Sequence, residues 1–539
     1  MRVLVIICSL VVLICAYFIA MLSNSHPRIS ITPPPPRCYP KRITLSNLVP
    51  FPLRRTCNPR FWNRHSFGSD FVFGTASSAY QFEGAYNEDG KGASIWDTFT
   101  HEHPDRIADG SNGDVAIDQY HRYKEDIKLM KDMGMDAYRF SISWSRVLPN
   151  GKLSGGVNKE GLNYYHRLID EIISKNMKPF VTIFHWDVPQ HLDFEYGGFL
   201  SKKIVPHFQD YAELLFQNFG KRVKHWITLN EPWTFSNYGY CLGLHAPGRC
   251  SYPDGNCTYG DSSREPYIVT HHQLLAHAAA VDVYRRKYKD QNGVIGMTNI
   301  CNWMIPYSDS KNDRDAARRA LDFMCGWFMD PITYGDYPPS MRLNARYLPY
   351  FSDDDKKLLK GSYDFIGLNY YTTNWAKDIP HKGWDTKGSY TTDSGAELTK
   401  KNGLIFWRDK LLTVSSWLYV YPEGLKELLV YIKQHYRDPT IYITENGVAE
   451  PYTNATTSSL TAALEDEFRK KYHCHHLQLL QDAIQYYCVD VRGYFAWAFS
   501  DNMEWNAGYT VGFGLNYVDF NTLQRYHKRS AIWFKDFLK

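Results

Sequence analysis

The sequence has no strong excess of charge of either sign. Its 61 basic and 57 acidic residues give a formal charge of +4 over 539 residues, which is too small to indicate a nucleic-acid partner. It also has no array of paired CxxC motifs, and we therefore expect no structural metal. No sequence repeat of about 20–50 residues is present, which argues against a solenoid.

The first 25 residues have the order of a targeting segment. Arg2 precedes an uncharged run from Val3 to Leu22, which is typical of a secretory signal peptide. A run of about 20 apolar residues is also long enough to span a bilayer. We predict a signal peptide over residues 1–25 and keep a membrane anchor as the alternative. Contact with a membrane is expected only if this segment is retained.

Residues 26–64 contain the proline-rich stretch "TPPPPRCYP". Proline disfavours both helices and central strands. We therefore predict an extended linker or propeptide over 26–64, followed by a single folded domain over 65–539.

Several loop features favour passage through the secretory pathway to the vacuole, an ER-derived body or the apoplast. Asn256 and Asn454 each begin an Asn-x-Thr triplet, the acceptor of an N-linked glycan. Cys250 and Cys257 lie in the turn-rich loop "RCSYPDGNCTYG", which a short disulfide could close. A Cys38–Cys57 pair is left open. The remaining cysteines after the leader are expected to be small buried thiols: Cys241, Cys301, Cys325, Cys474 and Cys488.

Strand-like and helix-like segments alternate along the predicted domain. The strand segments are nearly continuous in apolar and aromatic residues, as in strands buried on both faces. Residues 120–134 and 164–177 have apolar residues at the spacing of a helix that covers a sheet. This pattern predicts an α/β fold, a single (β/α)8 barrel with extended βα loops. The predicted strands are 70–77, 136–143, 178–186, 224–232, 293–300, 363–371, 440–447 and 492–501.

Two of these strands end on a glutamate, in "TLNEP" (228–232) and "ITENG" (443–447). Because the active site of such a barrel forms where the strands end, we expect Glu231 and Glu445 to face one pocket. Two carboxylates in a polar pocket with tryptophan walls indicate glycoside hydrolysis. A retaining enzyme needs a nucleophile and an acid about 5–5.5 Å apart, and burial and the opposite charge must raise the pKa of the acid.

These motifs resemble those of glycoside hydrolase family 1, and most closely its plant β-glucosidases. The likeness extends through "FGTASSAYQFEGA", "GKGASIWDTF", "YRFSISWSR", "FHWDVPQ", "GLNYYT" and "DNMEW", and it covers nearly all of 66–539. Two features resemble the plant members in particular, namely "WLYVYPEGL" and the loop with Cys250 and Cys257. The resemblance implies a retaining β-glucosidase that acts by double displacement without a cofactor.

The resemblance also implies individual roles. Glu231 would be the general acid and then the general base, and Glu445 would be the nucleophile. Asn369 and Tyr371 would orient the nucleophile region, and Trp417 would be a platform for the aglycone. The glycone hydroxyls would be held by Gln81, His185, Asn230, Glu504 and Trp505, with Trp497 as the stacking floor. Trp186, Thr234 and Phe513 would line the same aglycone entrance as Trp417.

Two positions depart from the common pattern of the family. Met503 stands where an aromatic residue often precedes Glu504, and Gly512 stands where an arginine often precedes Phe513. The second departure leaves the loop geometry around Phe513 in doubt.

Individual residues also distinguish this activity from close alternatives. Glu231 argues against a thioglucosidase, and Glu504 argues against a phosphoglycosidase, which needs a cationic pocket. A silent sugar-binding barrel would be expected to lose one of the two carboxylates, whereas transglycosylation stays open. The expected partner is a small-molecule O-β-D-glucoside of a plant specialised metabolite with a cyanogenic, alkaloid, terpenoid or phenolic aglycone. Galactoside or fucoside side activity and a homo-oligomer also stay open.

Overall fold

The computed structural model describes residues 56–379, 388–399, 415–452 and 457–539. All of these residues lie in one compact unit. The predicted signal peptide, residues 26–55 of the predicted linker and the glycosylation triplet at Asn454 lie outside the described residues.

Eight parallel strands form a closed barrel in which consecutive strands are neighbours and the last strand pairs with the first. This confirms the predicted α/β fold and the (β/α)8 barrel, and each barrel strand overlaps a predicted segment, although the last strand begins one residue earlier than predicted, at Val491. The strands are β1 (Val72–Ala76), β2 (Ala137–Ser141), β3 (Lys178–Phe184), β4 (His225–Asn230), β5 (Val294–Ile300), β6 (Phe365–Asn369), β7 (Ile441–Asn446) and β8 (Val491–Ala496).

Aromatic side chains fill the lower part of the barrel interior. The ring of Phe180 packs 4.7 Å from Phe495 and 5.4 Å from Tyr442, measured between ring centroids. Gly74 in β1 permits this packing, because a Cβ there would lie 2.5 Å from the ring of Phe495. The filled floor leaves the polar ends of the strands, at the opposite rim, to form the site.

Helices follow the strands. The longer ones are Gln119–Asp132, Lys159–Ser174, Ile204–Phe219, Glu265–Lys287, Lys311–Leu321, Pro422–His435, Glu467–Tyr487 and Arg529–Phe537. Shorter helices are Ala79–Phe82, Ile95–Glu102, Trp144–Val147, Gln190–Tyr196, Pro232–Tyr240, Trp327–Tyr334, Pro339–Asn344, Asp353–Leu359, Tyr390–Asp393 and Thr457–Glu465.

Small sheets decorate the loops between these elements. They are a three-stranded sheet of Trp303–Pro306, Thr373–Asp378 and Ala396–Thr399, a pair of Glu450–Pro451 and Val511–Gly512, and a pair of Asn516–Asp519 and Gln524–His527.

A disulfide between Cys57 and Cys474 ties the start of the described chain to helix Glu467–Tyr487. The prediction of Cys474 as a free buried thiol was therefore wrong, and Cys57 is not available to Cys38. Cys488 is also disulfide-bonded, which contradicts the same prediction for that residue. The chain positions of these cysteines carry no sign of the pairing, since 417 positions separate Cys57 from Cys474.

The other thiol predictions are confirmed for Cys241, Cys301 and Cys325, which are free and buried. The indole of Trp62 is buried and donates a hydrogen bond of 2.9 Å to Gln481 Oε1. Cys57 and Trp62 thus contact helix Glu467–Tyr487 of the folded domain, although the sequence prediction placed both residues in the linker. Within the described parts of the chain, no helix has the length and apolar character needed to cross a bilayer.

Candidate active site

Glu231 lies just beyond the end of β4 and precedes the short helix Pro232–Tyr240. Its backbone adopts a left-handed conformation with φ of 42°, which turns the chain from strand to helix. Asn369 Nδ2 donates to Glu231 Oε1 at 2.6 Å, and the Thr234 hydroxyl lies 2.7 Å from Oε2. Burial and the nearby charge of Glu445 raise the pKa of Glu231 to about 8. This carboxyl therefore holds its proton near neutral pH.

Glu445 lies in β7 and is also buried. Arg139 Nη1 donates to Glu445 Oε1 at 2.5 Å, and Tyr371 Oη donates to Oε2 at 2.6 Å. Both carboxylate oxygens are thus engaged by donors, one of them a guanidinium. Such charge-assisted bonds hold a carboxylate ion in one orientation.

Three side chains connect the two glutamates. Arg139 donates to Glu445 through Nη1 and to Asn230 Oδ1 through Nη2, the latter at 2.6 Å. Asn369 Nδ2 lies 3.3 Å from the same Asn230 oxygen and 2.6 Å from Glu231 Oε1. The two carboxyl groups therefore belong to one continuous hydrogen-bond network, as expected from their positions at strand ends on the same rim of the barrel.

Arg139 was missed by sequence analysis. It lies fully buried in the middle of β2, within the motif "YRFSISWSR". The signal was present, because a buried charge in an apolar strand requires a partner, and this is the reasoning that identified the two glutamates.

Glu504, Gln81 and Trp497 form a second polar group at the end of β8. Gln81 Nε2 donates to Asn502 Oδ1 at 2.9 Å and to the Met503 carbonyl at 2.8 Å, and lies 3.4 Å from Glu504 Oε2. Burial raises the pKa of Glu504 to about 8, although bonds from Asn502 and Trp497 partly offset it. Glu504 Oε1 is buried and has no hydrogen-bond partner in the described part of the chain.

His185 joins this group to the catalytic network. Because Asn230 Oδ1 accepts from Arg139, its amide nitrogen is the donor to His185 Nε2, at 2.9 Å. The proton of the imidazole is then on Nδ1, which is buried and has no partner among the residues that the structure describes. Burial and the charge of Arg139 lower the pKa of His185 well below its usual range, so the ring is neutral.

Aromatic rings surround His185. Its ring lies 6.1 Å from Trp497 and 5.8 Å from Trp505, nearly parallel to both. Trp186 packs 4.4 Å from Trp505 and donates from Nε1 to the Asn230 carbonyl at 2.8 Å. The predicted glycone residues are thus brought together around one half of the mouth.

Tyr371, which donates to Glu445, packs near Trp417 and Phe513. The ring of Tyr371 is 5.9 Å from Trp417 and 6.1 Å from Phe513. Trp417 is 41% exposed, whereas Phe513 is buried. Gly512 pairs with Glu450 in a short strand, and Phe513 still reaches the rim despite the unusual glycine.

A set of hydrogen bonds that includes Asp254 also supports the rim next to Glu231. Trp233, two residues after Glu231, donates through its indole to the Tyr390 hydroxyl. Asp254 Oδ1 accepts from Ser389 Oγ at 2.9 Å and from the Thr391 hydroxyl, on either side of Tyr390. Asp254 lies inside the predicted disulfide loop, which is confirmed between Cys250 and Cys257. The loop thereby anchors the segment that contacts Trp233.

The barrel and the linked carboxylate pair at its mouth define a (β/α)8 glycosidase. Residues 63–539 match glycosyl hydrolase family 1. β-Glucosidase 12 of Oryza sativa subsp. indica is 57% identical over 481 residues, which cover 88% of this chain and 93% of that protein. Raucaffricine-O-β-D-glucosidase of Rauvolfia serpentina is 51% identical over 496 residues, covering 87% and 91%.

A solved structure of a rice β-glucosidase variant in a covalent complex with Glc superimposes with a TM-score of 0.84 at 47% identity. The alignment covers 89% of this chain and 100% of that chain. The chain belongs to glycosyl hydrolase family 1, which confirms the resemblance found in its motifs.

Proposed function

We propose that this family 1 β-glucosidase uses Glu445 as nucleophile and Glu231 as acid and base to hydrolyse O-β-D-glucosides of plant specialised metabolites. The observation that carries the proposal is the unequal environment of the two carboxyl groups. Glu231 has a pKa raised to about 8, while Glu445 is paired with the guanidinium of Arg139. One group is therefore suited to deliver a proton and the other to attack carbon.

In the first step, a Glu445 oxygen bonds to the anomeric carbon while the bond to the aglycone oxygen breaks. Glu231 transfers its proton to that oxygen, and the aglycone leaves as an alcohol. In the second step, Glu231 removes a proton from water, and the resulting oxygen displaces Glu445 from the sugar. Two inversions at one carbon give a product of retained β configuration.

The unpartnered polar atoms support a sugar in this pocket. Glu504 Oε1 and the donor His185 Nδ1 are both buried without a partner among the described residues. An unsatisfied buried polar group costs about 1–3 kcal/mol, which a correctly placed hydroxyl would recover. The adjacent Trp497 ring offers an apolar face for the sugar ring.

The acid role is tested by pairing Glu231→Gln with substrates of different leaving groups. For an activated nitrophenyl β-glucoside we expect a small loss of the glycosylation rate, because the leaving oxygen needs little protonation. For an alkyl β-glucoside we expect a loss of about 100-fold or more. Equal losses on both substrates would contradict the assignment, and near-normal hydrolysis by Glu445→Gln would contradict that of the nucleophile.

The aglycone class is proposed from the rim. Trp417 is exposed, and Tyr371 and Phe513 are aromatic, so the entrance favours flat or polycyclic apolar aglycones. The named activity of the Rauvolfia relative on raucaffricine supports this class. Release of each aglycone from a panel of cyanogenic, alkaloid, terpenoid and phenolic glucosides tests it, with galactosides and fucosides as controls for the glycone.

The hydrogen bonds that Asp254 accepts from Ser389 and Thr391 lead to a separate prediction about selectivity. We expect Asp254→Ala to loosen the segment around Tyr390 and to change KM for bulky aglycones several-fold. Inhibition by glucose should stay unchanged, because the glycone residues lie elsewhere. A parallel change in glucose inhibition would show that the substitution acts on the whole barrel instead.

We also propose that the protein resides in an oxidising compartment of the secretory pathway. Disulfides persist in such compartments, and Asn256 in the Cys250–Cys257 loop is exposed to a glycan transferase. Treatment with an endoglycosidase should lower the apparent mass of the protein. The shift should diminish in Asn256→Gln, and its absence in the native protein would contradict the proposal.

A further inference from the structure

The hydrogen bonds around Glu231 determine which of its two carboxyl oxygens carries the proton. Arg139 can only donate, so the Asn230 atom that it contacts at 2.6 Å is the oxygen Oδ1. Asn369 lies 3.3 Å from that oxygen, and the atom that approaches it is therefore the amide nitrogen Nδ2. The same nitrogen lies 2.6 Å from Glu231 Oε1, which makes Oε1 an acceptor.

The other side of the Asn369 amide agrees with this orientation. Its Oδ1 accepts from the Thr444 hydroxyl at 2.7 Å. In a neutral carboxyl group the carbonyl oxygen is the better acceptor, and the second oxygen carries the hydrogen. Because Glu231 Oε1 accepts from Asn369, the proton of neutral Glu231 lies on Oε2. Oε2 is therefore the oxygen that protonates the leaving group.

The hydroxyl of Thr234 lies next to this oxygen, 2.7 Å from Glu231 Oε2. Glu231 is the N-cap of helix Pro232–Tyr240, and Thr234 follows three residues later in the first turn. Side chains three residues apart lie on one face of a helix, so this spacing brings the hydroxyl to the carboxyl group. Thr234 is buried, and the branch at its Cβ restricts its rotation.

A hydroxyl can both accept and donate, whereas the Asn369 nitrogen can only donate. While Glu231 is neutral, Thr234 Oγ1 can accept from Oε2, and it can donate to Oε2 once the proton has left. A hydrogen bond to a carboxylate is stronger than one to a neutral carboxyl. Burial and then the charge of Glu445 raise the pKa of Glu231, and the bonds from Asn369 and Thr234 oppose this rise. The Thr234 contact thus becomes stronger as the proton leaves, which favours the transition state over the bound substrate.

We propose that Thr234 is a positioning residue for proton transfer: its hydroxyl orients Glu231 Oε2 and donates to it as the proton passes to the aglycone oxygen. The proton comes from Oε2 while the bond between the anomeric carbon and the aglycone oxygen breaks, and Thr234 keeps its own hydrogen. This role rests on the proposed acid function of Glu231, and it is separate from any contact of Thr234 with the aglycone.

The test replaces Thr234 by valine, which removes the hydroxyl and retains the shape of the side chain. We expect the basic limb of the pH profile of kcat/KM to move up by about 0.5–1 pH unit, because the carboxylate loses a donor. At pH values below that limb, kcat/KM for an alkyl β-glucoside should fall about 2–10-fold, because Glu231 becomes a weaker acid. An activated nitrophenyl β-glucoside needs little protonation, and its kcat/KM should be nearly unchanged.

Two variants of Thr234 and one matched control complete the series. Thr234→Ser keeps the hydroxyl and should restore both the limb and the rate. Thr234→Ala removes the same hydroxyl and decides the matter if Thr234→Val does not fold. The control is Thr270→Val, the same exchange at a buried threonine that donates at 2.8 Å to Ser236 on helix Pro232–Tyr240. Its basic limb should coincide with that of the native protein.

Three results would overturn the role of Thr234. They are a basic limb that does not move in Thr234→Val, a shift that Thr234→Ser does not reverse, and equal losses on the two substrates. A change of KM alone would likewise assign Thr234 only to the wall of the entrance. The acid role of Glu231 fails separately, through undiminished hydrolysis of the alkyl β-glucoside by Glu231→Gln. If Glu231→Gln loses that activity while the limb of Thr234→Val stays in place, only the role of Thr234 is refuted.

Discussion

Replacing Glu445 by glutamine should lower the pKa of Glu231, and this shift measures the coupling on which the mechanism depends. The pKa of Glu231 is raised from 4.5 to about 8, first by burial and then by the charge of Glu445. Two unit charges about 5.5 Å apart, the separation in a retaining pair, interact by about 3 kcal/mol at an effective dielectric constant of ~20. That energy corresponds to about two pKa units as an upper bound.

Since burial is the larger cause, we expect a fall of about 1–2 units in Glu445→Gln. Arg139 acts in the same direction, because its charge lowers the pKa of Glu231 and the substitution removes its anionic partner. In the native enzyme, kcat/KM should decline above about pH 8 as Glu231 loses its proton.

The assay compares infrared spectra of two proteins over a series of pH values, namely Glu445→Gln and the double variant Glu231→Gln/Glu445→Gln. Their difference spectrum isolates the carboxyl group of Glu231. The matched control is Glu504→Gln, which removes a carboxyl group at the same mouth that is not among the main causes of the shift. An unchanged pKa of Glu231 in Glu445→Gln would refute the reasoning. It would mean that the two groups do not share one electrostatic site.

Two further predictions concern stability. Because the pKa of Glu231 is raised on folding, the native protein should lose stability as pH rises from about 4.5 to about 8. Over that window the free energy of unfolding of Glu231→Gln should rise by up to a few kcal/mol relative to that of the native protein. Equal pH dependence of unfolding in urea for both proteins would contradict this. The Cys57–Cys474 disulfide joins residues 417 positions apart, and its removal should lower the free energy of unfolding by about 3–6 kcal/mol. The Cys250–Cys257 disulfide joins residues only 7 positions apart, and its removal should cost about 2 kcal/mol. Comparing the paired serine variants tests the order, and the reverse order would show that strain or local contacts dominate over loop length.

The sequence alone was sufficient to predict the barrel and its carboxylate pair. Strands buried on both faces leave apolar runs that are legible without coordinates. A glutamate at the end of such a run is costly unless it has a use, so Glu231 and Glu445 stood out before any distance was known. The short Cys250–Cys257 disulfide was equally legible, because both residues lie in one turn-rich loop.

Contacts between distant segments were decided only by the tertiary structure. Nothing in the chain links Cys57 to Cys474, or Asp254 to the residues that flank Tyr390, and the partner of Arg139 becomes visible only when β2 and β7 face each other across the barrel. The raised pKa values of Glu231 and Glu504 have the same origin. Desolvation and charge proximity depend on which side chains meet in space, whereas strand and helix patterns depend on neighbours along the chain.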